Sequence, residues 1–190
     1  MCGVDFYRRN LPHWHPNEKT LFITWRLYGS LPKTHDSVSG DPNSRSLQKE
    51  FREADAVLDR AESGPLWLKN SRVAALVADA LRRGSSEFER YDLHAYVVMA
   101  NHTHVLLTPK IELRKITKSL KGVTARAANK ILGRTGEPFW QDESFDHWIR
   151  NPSEFFETKR YIEHNPVTAG LAERPEDWRW SSAYENPRRD

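Results

Sequence analysis

Cysteine is almost missing from this chain: Cys2 is the only one in 190 residues. That excludes a disulfide framework and a cysteine-rich zinc ribbon. No apolar run approaches the roughly 20 residues a membrane helix needs, and the mean hydropathy is −0.76. No basic start leads into a hydrophobic stretch, so no secretory leader and no membrane partner are expected, and the expected location is cytoplasmic. There is no internal repeat. A net charge of only +3 gives the chain as a whole no strong sign.

Aromatic residues are plentiful, at 11% with 7 Trp and 8 Phe, and hydrophobic residues reach 38%, which argues against disorder. The length suits one medium domain. The expectation is therefore a single domain over 1–190, with an irregular N-terminal arm (1–20) and a C-terminal tail (166–190). The small net charge hides an uneven distribution. Residues 110–136 hold eight lysines and arginines against Glu112 alone, a net of +7, whereas 137–190 hold seven against twelve acids, a net of −5. A basic segment in a near-neutral chain is a candidate phosphate surface, or simply a solvated helix face.

Leu21 to Tyr28 is rich in β-branched and aromatic residues and reads as a strand ending at Gly29. Residues 32–45 have loop chemistry. Ser46 to Glu62 reads as a strongly charged helix stopped by Gly64-Pro65. Asn70 or Ser71 caps a second helix with Val73, Leu76, Val77, Ala80 and Leu81 as its stripe, ending at Gly84. Asp92–Met99 and His102–Thr108 form a hairpin turning at Asn101. Ile111 to Leu132 is a helix with Ile116, Leu120, Val123, Ala127 and Ile131 on one stripe and Arg114, Lys118 and Lys121 opposite, weakest at Gly122. Pro138 to Arg150 is extended. A last helix opens at Pro152-Ser153, carries Tyr161, and closes at Asn165-Pro166. This order predicts an α+β fold, a ferredoxin-like split βαβ arrangement with an antiparallel sheet and helices on one face.

Two sites carry chemistry. In a strand, His102 and His104 leave the same face and aim two imidazoles at one point, while Val105 and Leu107 face the core. Such a pair suits a divalent cation, although His-x-His alone also describes two core-edge histidines. On the last helix, Tyr161 and Asn165 are four apart and share a face, off the Phe155/Ile162 stripe. A phenol there could attack phosphorus beside a cation, or simply sit on a rim. The Asn165 carbonyl oxygen suits a hard cation's shell.

Taken together, four ordered segments resemble the REP-associated branch of the single-tyrosine transposases, within the His-hydrophobic-His endonucleases. They are Tyr96-Val-Val-Met-Ala-Asn-His-Thr-His-Val-Leu-Leu107, Trp140-Gln-Asp-Glu-Ser-Phe-Asp-His-Trp-Ile-Arg150, Tyr161-Ile-Glu-His-Asn-Pro-Val-Thr-Ala-Gly-Leu171 and Trp178-Arg-Trp-Ser-Ser182. The resemblance runs from about Leu21 to Ser182. It implies a ferredoxin-like core, metal-binding His102 and His104, a nucleophilic Tyr161, and Asn165 as a further ligand. Thr103 stands where the pattern has a hydrophobic residue, and Asn165 where insertion-sequence relatives carry Gln.

The implied chemistry is metal-dependent cleavage and rejoining of single-stranded, hairpin-bearing DNA (REP-like repeats) through a 5′-phosphotyrosine, with Mg²⁺ or Mn²⁺ as cofactor. Arg114, Lys118, Lys121 and Arg126 are the candidate DNA contacts, and a monomer or homodimer is expected. The competing readings are a non-catalytic binder of DNA hairpins and a metal-dependent hydrolase using water. His94 is read as structural. His147, His164, Asp142 and Glu143 are candidate outer groups around a metal, and Trp178 and Trp180 either stack bases or anchor the tail. His13, His15 and His35 are read as solvated, and Arg8 and Arg9 as optional phosphate contacts.

Overall fold

The structure is a computed structural model that describes residues 5–8, 12–15, 19–31, 45–62 and 64–185. The loop expected at 32–45 (but for its last residue), Cys2, Arg9 and His35 lie outside the described residues. The described residues form six strands, β1 (Asp5–Arg8), β2 (Pro12–His15), β3 (Leu21–Arg26), β4 (Tyr91–Val98), β5 (His102–Pro109) and β6 (Phe145–Trp148), and five α-helices. The helices are α1 (Arg45–Arg60), α2 (Ser71–Ser86), α3 (Leu113–Leu132), α4 (Pro152–Thr168) and the short α5 (Ser182–Glu185). The arm expected to be irregular contains the β1–β2 antiparallel pair.

The main sheet has the order β4-β5-β3-β6, and every neighbouring pair is antiparallel. β5 and β3 are central, with Thr24 opposite His104 and Arg26 opposite His102. The alternation of side chains then divides the interior in two. Leu21, Ile23, Trp25, Tyr96, Val98, Val105 and Leu107 meet α2 and α3 on one face. Phe22, Val97, Met99 and Leu106 meet Phe51 of α1 and Phe155 and Ile162 of α4 on the other. The α+β class and antiparallel sheet are as the sequence predicts, but helices cover both faces rather than one. The reason is that β3, β4 and β5 are apolar on both sides, so neither face tolerates water.

Local chemistry sets the helix ends. The Asn70 side chain accepts from Arg72 N at 3.0 Å to cap α2, and Asn151 accepts from Glu154 N at 3.0 Å to cap α4, with Pro152 in the first turn. α3 ends on Gly133 in the left-handed conformation, at φ 69°. It runs unbroken through Gly122, and its buried stripe is Leu113, Ile116, Leu120, Thr124 and Ala128. Thr124 replaces Val123 in that stripe because its hydroxyl donates to Leu120 O and accepts from Trp140 Nε1 at 2.9 Å. α2 continues two residues past Gly84. That glycine is needed where the fully buried Tyr91 reaches across to donate to Leu81 O at 2.7 Å, since a Cβ at 84 would lie 2.1 Å from the phenol oxygen. α4 passes through Pro166 and stops after Thr168.

After a 3₁₀ turn at Pro175–Asp177, the chain returns to β4. Ser181 bridges Val97, Val98 N donates to Trp180 O at 2.8 Å, and Trp178 Nε1 donates to Val98 O at 3.0 Å. Trp178 and Trp180 therefore anchor this segment, one against each half of the core.

Candidate functional site

β5 emerges from the turn at Asn101 with His102 and His104 on the α1/α4 side of the sheet, both fully buried. Their Nε2 atoms face each other at 3.1 Å. Each ring is held from behind. His102 Nδ1 meets Asn101 Oδ1 at 2.7 Å, and the Asn101 amide is oriented by donating to Leu58 O at 3.0 Å. His104 Nδ1 meets Thr24 Oγ1 at 2.7 Å. Because Asn101 offers its oxygen, the His102 proton sits on Nδ1 and the Nε2 lone pair points inward. Burial, and then the neighbouring His104, push the His102 pKa down to about 3, with Asp55 opposing, so the ring is neutral at ordinary pH.

α1 supplies two residues that the sequence reading did not single out. Asp55, 2% exposed, places Oδ1 3.3 Å from His104 Nε2 and 3.8 Å from His102 Nε2, and Asp59 Oδ1 lies 3.5 Å from His102 Nε2. The signal was present: Phe51, Ala54, Asp55 and Leu58 have i, i+3, i+4, i+7 spacing, so a carboxylate interrupts an apolar stripe. Burial alone would raise the Asp55 pKa. The close approach of the His104 imidazole, then that of His102 and the hydroxyl of Tyr161, outweigh it and hold the acid at about 2.

α4 completes the cluster. Tyr161 donates its hydroxyl to Asp55 Oδ2, and its ring lies 5.7 Å from that of His104 and edge-on to Phe22 at 6.1 Å. Burial, the negative Asp55 and the hydrogen bond to it all push the phenol pKa far above its ordinary value, while Arg52 opposes them. One turn on, Asn165 is buried with Nδ2 3.4 Å from His104 Nε2. The Oδ1 atoms of Asp55, Asp59 and Asn165 are all buried without hydrogen-bond partners among the described residues.

Unpartnered buried oxygens around two imidazoles turned toward each other are the donor set of a cation site. Asp55, His102 and His104 bring one ligand atom each within 4.8 Å of one another. Two imidazoles, a carboxylate and an amide oxygen fit a divalent cation, and the negative charge of Asp55 calls for one.

The structure thus brings His102, His104, Tyr161 and Asn165 together, but not the basic residues. α3 packs on the opposite face of the sheet, so Arg114, Lys118 and Arg126, all exposed, lie a layer away from Tyr161. Lys121 differs from them: its ammonium donates to the carbonyls of Gln141, Asp142 and Glu143 at 3.0, 3.0 and 3.3 Å, fixing the approach to β6. His94 bonds Thr108 Oγ1 at 2.8 Å and packs on Phe155, apart from the cluster. His147 bonds Glu154 at 2.7 Å, and neither it nor the exposed His164 and Asp142 reaches the cluster.

The family model described as "Transposase IS200 like" matches residues 68–165. That span holds both histidines, Tyr161 and Asn165, and excludes α1. No curated protein matches the chain. Among solved structures, a REP-associated tyrosine transposase bound to a REP hairpin aligns over 94% of this chain and 82% of its own, at 18% identity and a TM-score of 0.59, which shows a shared fold. A putative transposase from Deinococcus radiodurans R1 aligns over 80% of this chain and 93% of its own, at 16% identity and a TM-score of 0.38.

Proposed function

The chain belongs to the family of IS200-like transposases, and on that footing we propose that it cuts and rejoins single-stranded DNA bearing REP-like hairpins through a covalent bond to Tyr161. The observation that supports this reading most is the hydroxyl of Tyr161 hydrogen-bonded to the same buried carboxylate, Asp55, that faces both imidazoles.

His102, His104, Asp55 and Asn165 would hold Mg²⁺ or Mn²⁺. When bound, such a cation polarises a phosphate oxygen and favours the phenolate. Asn101 and Thr24 keep the two rings turned toward each other. Asp55 orients the phenol through Oδ2, and the phenolic proton passes to water as the oxygen attacks phosphorus. The new bond joins Tyr161 to a 5′ phosphate, the P–O3′ bond breaks, and the departing 3′ oxygen takes a proton from water. One phosphoester replaces another, so a second 3′-hydroxyl can reverse the step without ATP. Arg114, Lys118 and Arg126, on the far face, would contact the hairpin backbone beyond the cut, and the chain would act as a single domain.

Incubation with Mn²⁺ and a labelled hairpin strand, followed by a denaturing gel, tests the reading. The wild type is expected to give a covalent adduct, and Tyr161→Phe, which keeps the ring, to give neither adduct nor cut. Cutting that survives in Tyr161→Phe without any adduct would mean that water is the nucleophile. Binding without cutting in both would mean a non-catalytic hairpin binder.

A further inference from the structure

A cleft of 220 Å³ opens beside Tyr161 and takes no part in the scheme above. Its apolar wall is the Phe51–Phe145 pair, stacked at 4.1 Å with 20° between the rings, and Phe22 stands edge-on to Phe51 at 5.5 Å. These rings come from α1, β6 and β3, and Phe51 and Phe145 are only half-buried. The remaining wall is charged: Arg52 on α1, and Glu154 and Glu157 on α4. Glu154 is committed, accepting from His147 Nε2 and Arg150 N at 2.7 Å each. Among the described residues, Glu157 accepts one hydroxyl bond, from Ser153 at 3.0 Å, and is exposed at the rim with acceptor capacity remaining.

We propose that this cleft binds a nucleobase flanking the scissile phosphate and prefers one that presents an amino group to Glu157. The proposal rests on the reading of Tyr161 as the nucleophile and names what its substrate must place next to it. Three features carry it. The cleft shares Tyr161, so a strand whose phosphate meets the phenol has its neighbouring base at the mouth. The volume is below that of pockets for drug-sized ligands, and suits one planar ring system. Aromatic faces stack any base, whereas a carboxylate acceptor selects an exocyclic amine, such as the cytosine N4 amino group, over the carbonyl of thymine. Arg52 at the same rim complements the negative backbone of an extruded nucleotide.

The test uses the full chain with Mn²⁺ and hairpin strands carrying an abasic site, cytosine or thymine at each position flanking the cut. At one of the two positions, abasic substitution is expected to slow adduct formation at least about fivefold. Cytosine there should be preferred over thymine by about tenfold. Glu157→Gln, an exposed change that leaves the aromatic wall intact, should flatten the cytosine-to-thymine ratio while retaining the abasic effect. Phe145→Leu should weaken the abasic effect. Adduct rates indifferent to abasic sites at both positions, or a ratio unchanged in Glu157→Gln, would overturn the proposal. If no strand gives an adduct, the nucleophile reading fails separately. The cleft is then decided by 2-aminopurine at the same positions: quenching that Phe145→Leu relieves supports it, and fluorescence unaltered by the protein overturns it.

Discussion

Asp59 carries a charge in the wrong place for stability. Burial, and then the negative Asp55 one turn away, push its pKa up to about 7, with His104 opposing. The unfolded carboxyl titrates near 4, so between about pH 4 and 7 the folded chain holds more protons, and this residue's contribution to stability falls as pH rises through that window. His102 has the opposite sign. Its pKa of about 3 lies below the unfolded value near 6.5, so its contribution grows as pH rises from about 3 to 6.5. Asp59→Asn, measured in EDTA, is expected to raise the Tm at pH 7.5 by about 2–4 °C for each kcal/mol relieved. At pH 4 the change should nearly vanish, and an equal shift at both pH values would contradict the assigned burden.

Among the elements, α2 and α3 offer sharper tests. Gly84→Ala would drive a methyl into the Tyr91 phenol, whose ring is buried and whose hydroxyl is bonded to Leu81. It should destabilise the chain by about 2 kcal/mol or more in denaturant unfolding, and a neutral result would contradict this packing. On α3, Lys118→Ala is expected to lower the salt slope of DNA binding by about one unit with the Tm unchanged. Lys121→Ala should do the reverse, because its ammonium holds the carbonyls before β6. Periodicity distinguished these lysines poorly, since both lie off the apolar stripe. What separates them is a loop about 20 residues further on. The β4–β5 hairpin and the His pair were legible because period-2 alternation is local. The α1 carboxylates were not, because their partners lie more than 40 residues away and a charged helix resembles a solvated one. Coverage of both sheet faces was also missed: the apolar residues on both sides of β3 to β5 are the mark of a strand buried twice.

For the molecule as a whole, the site exists only when β3, β5, α1 and α4 are assembled, so a ligand bound there must favour the folded chain. Mn²⁺ at 100 times its Kd should add about 2.7 kcal/mol, raising the Tm by several degrees. His104→Ala should abolish that shift, and should also lower the metal-free Tm, because the fully buried ring leaves a cavity and an unpaired Thr24 hydroxyl. A shift of equal size in both proteins would place the ion elsewhere.

The return of the chain to β4 has a separate effect on how copies of this protein can meet. An edge strand with unpaired amides invites another strand, and from there open-ended aggregation. β4 is the longer margin of the main sheet, and residues 178–182 already take up part of its hydrogen bonding at Tyr96, Val97 and Val98. The opposite margin, β6, offers only four residues. Extension of the sheet from one copy into the next is thus closed along that stretch of β4, and a ladder shared between copies would have to use the remainder of β4 or the short β6.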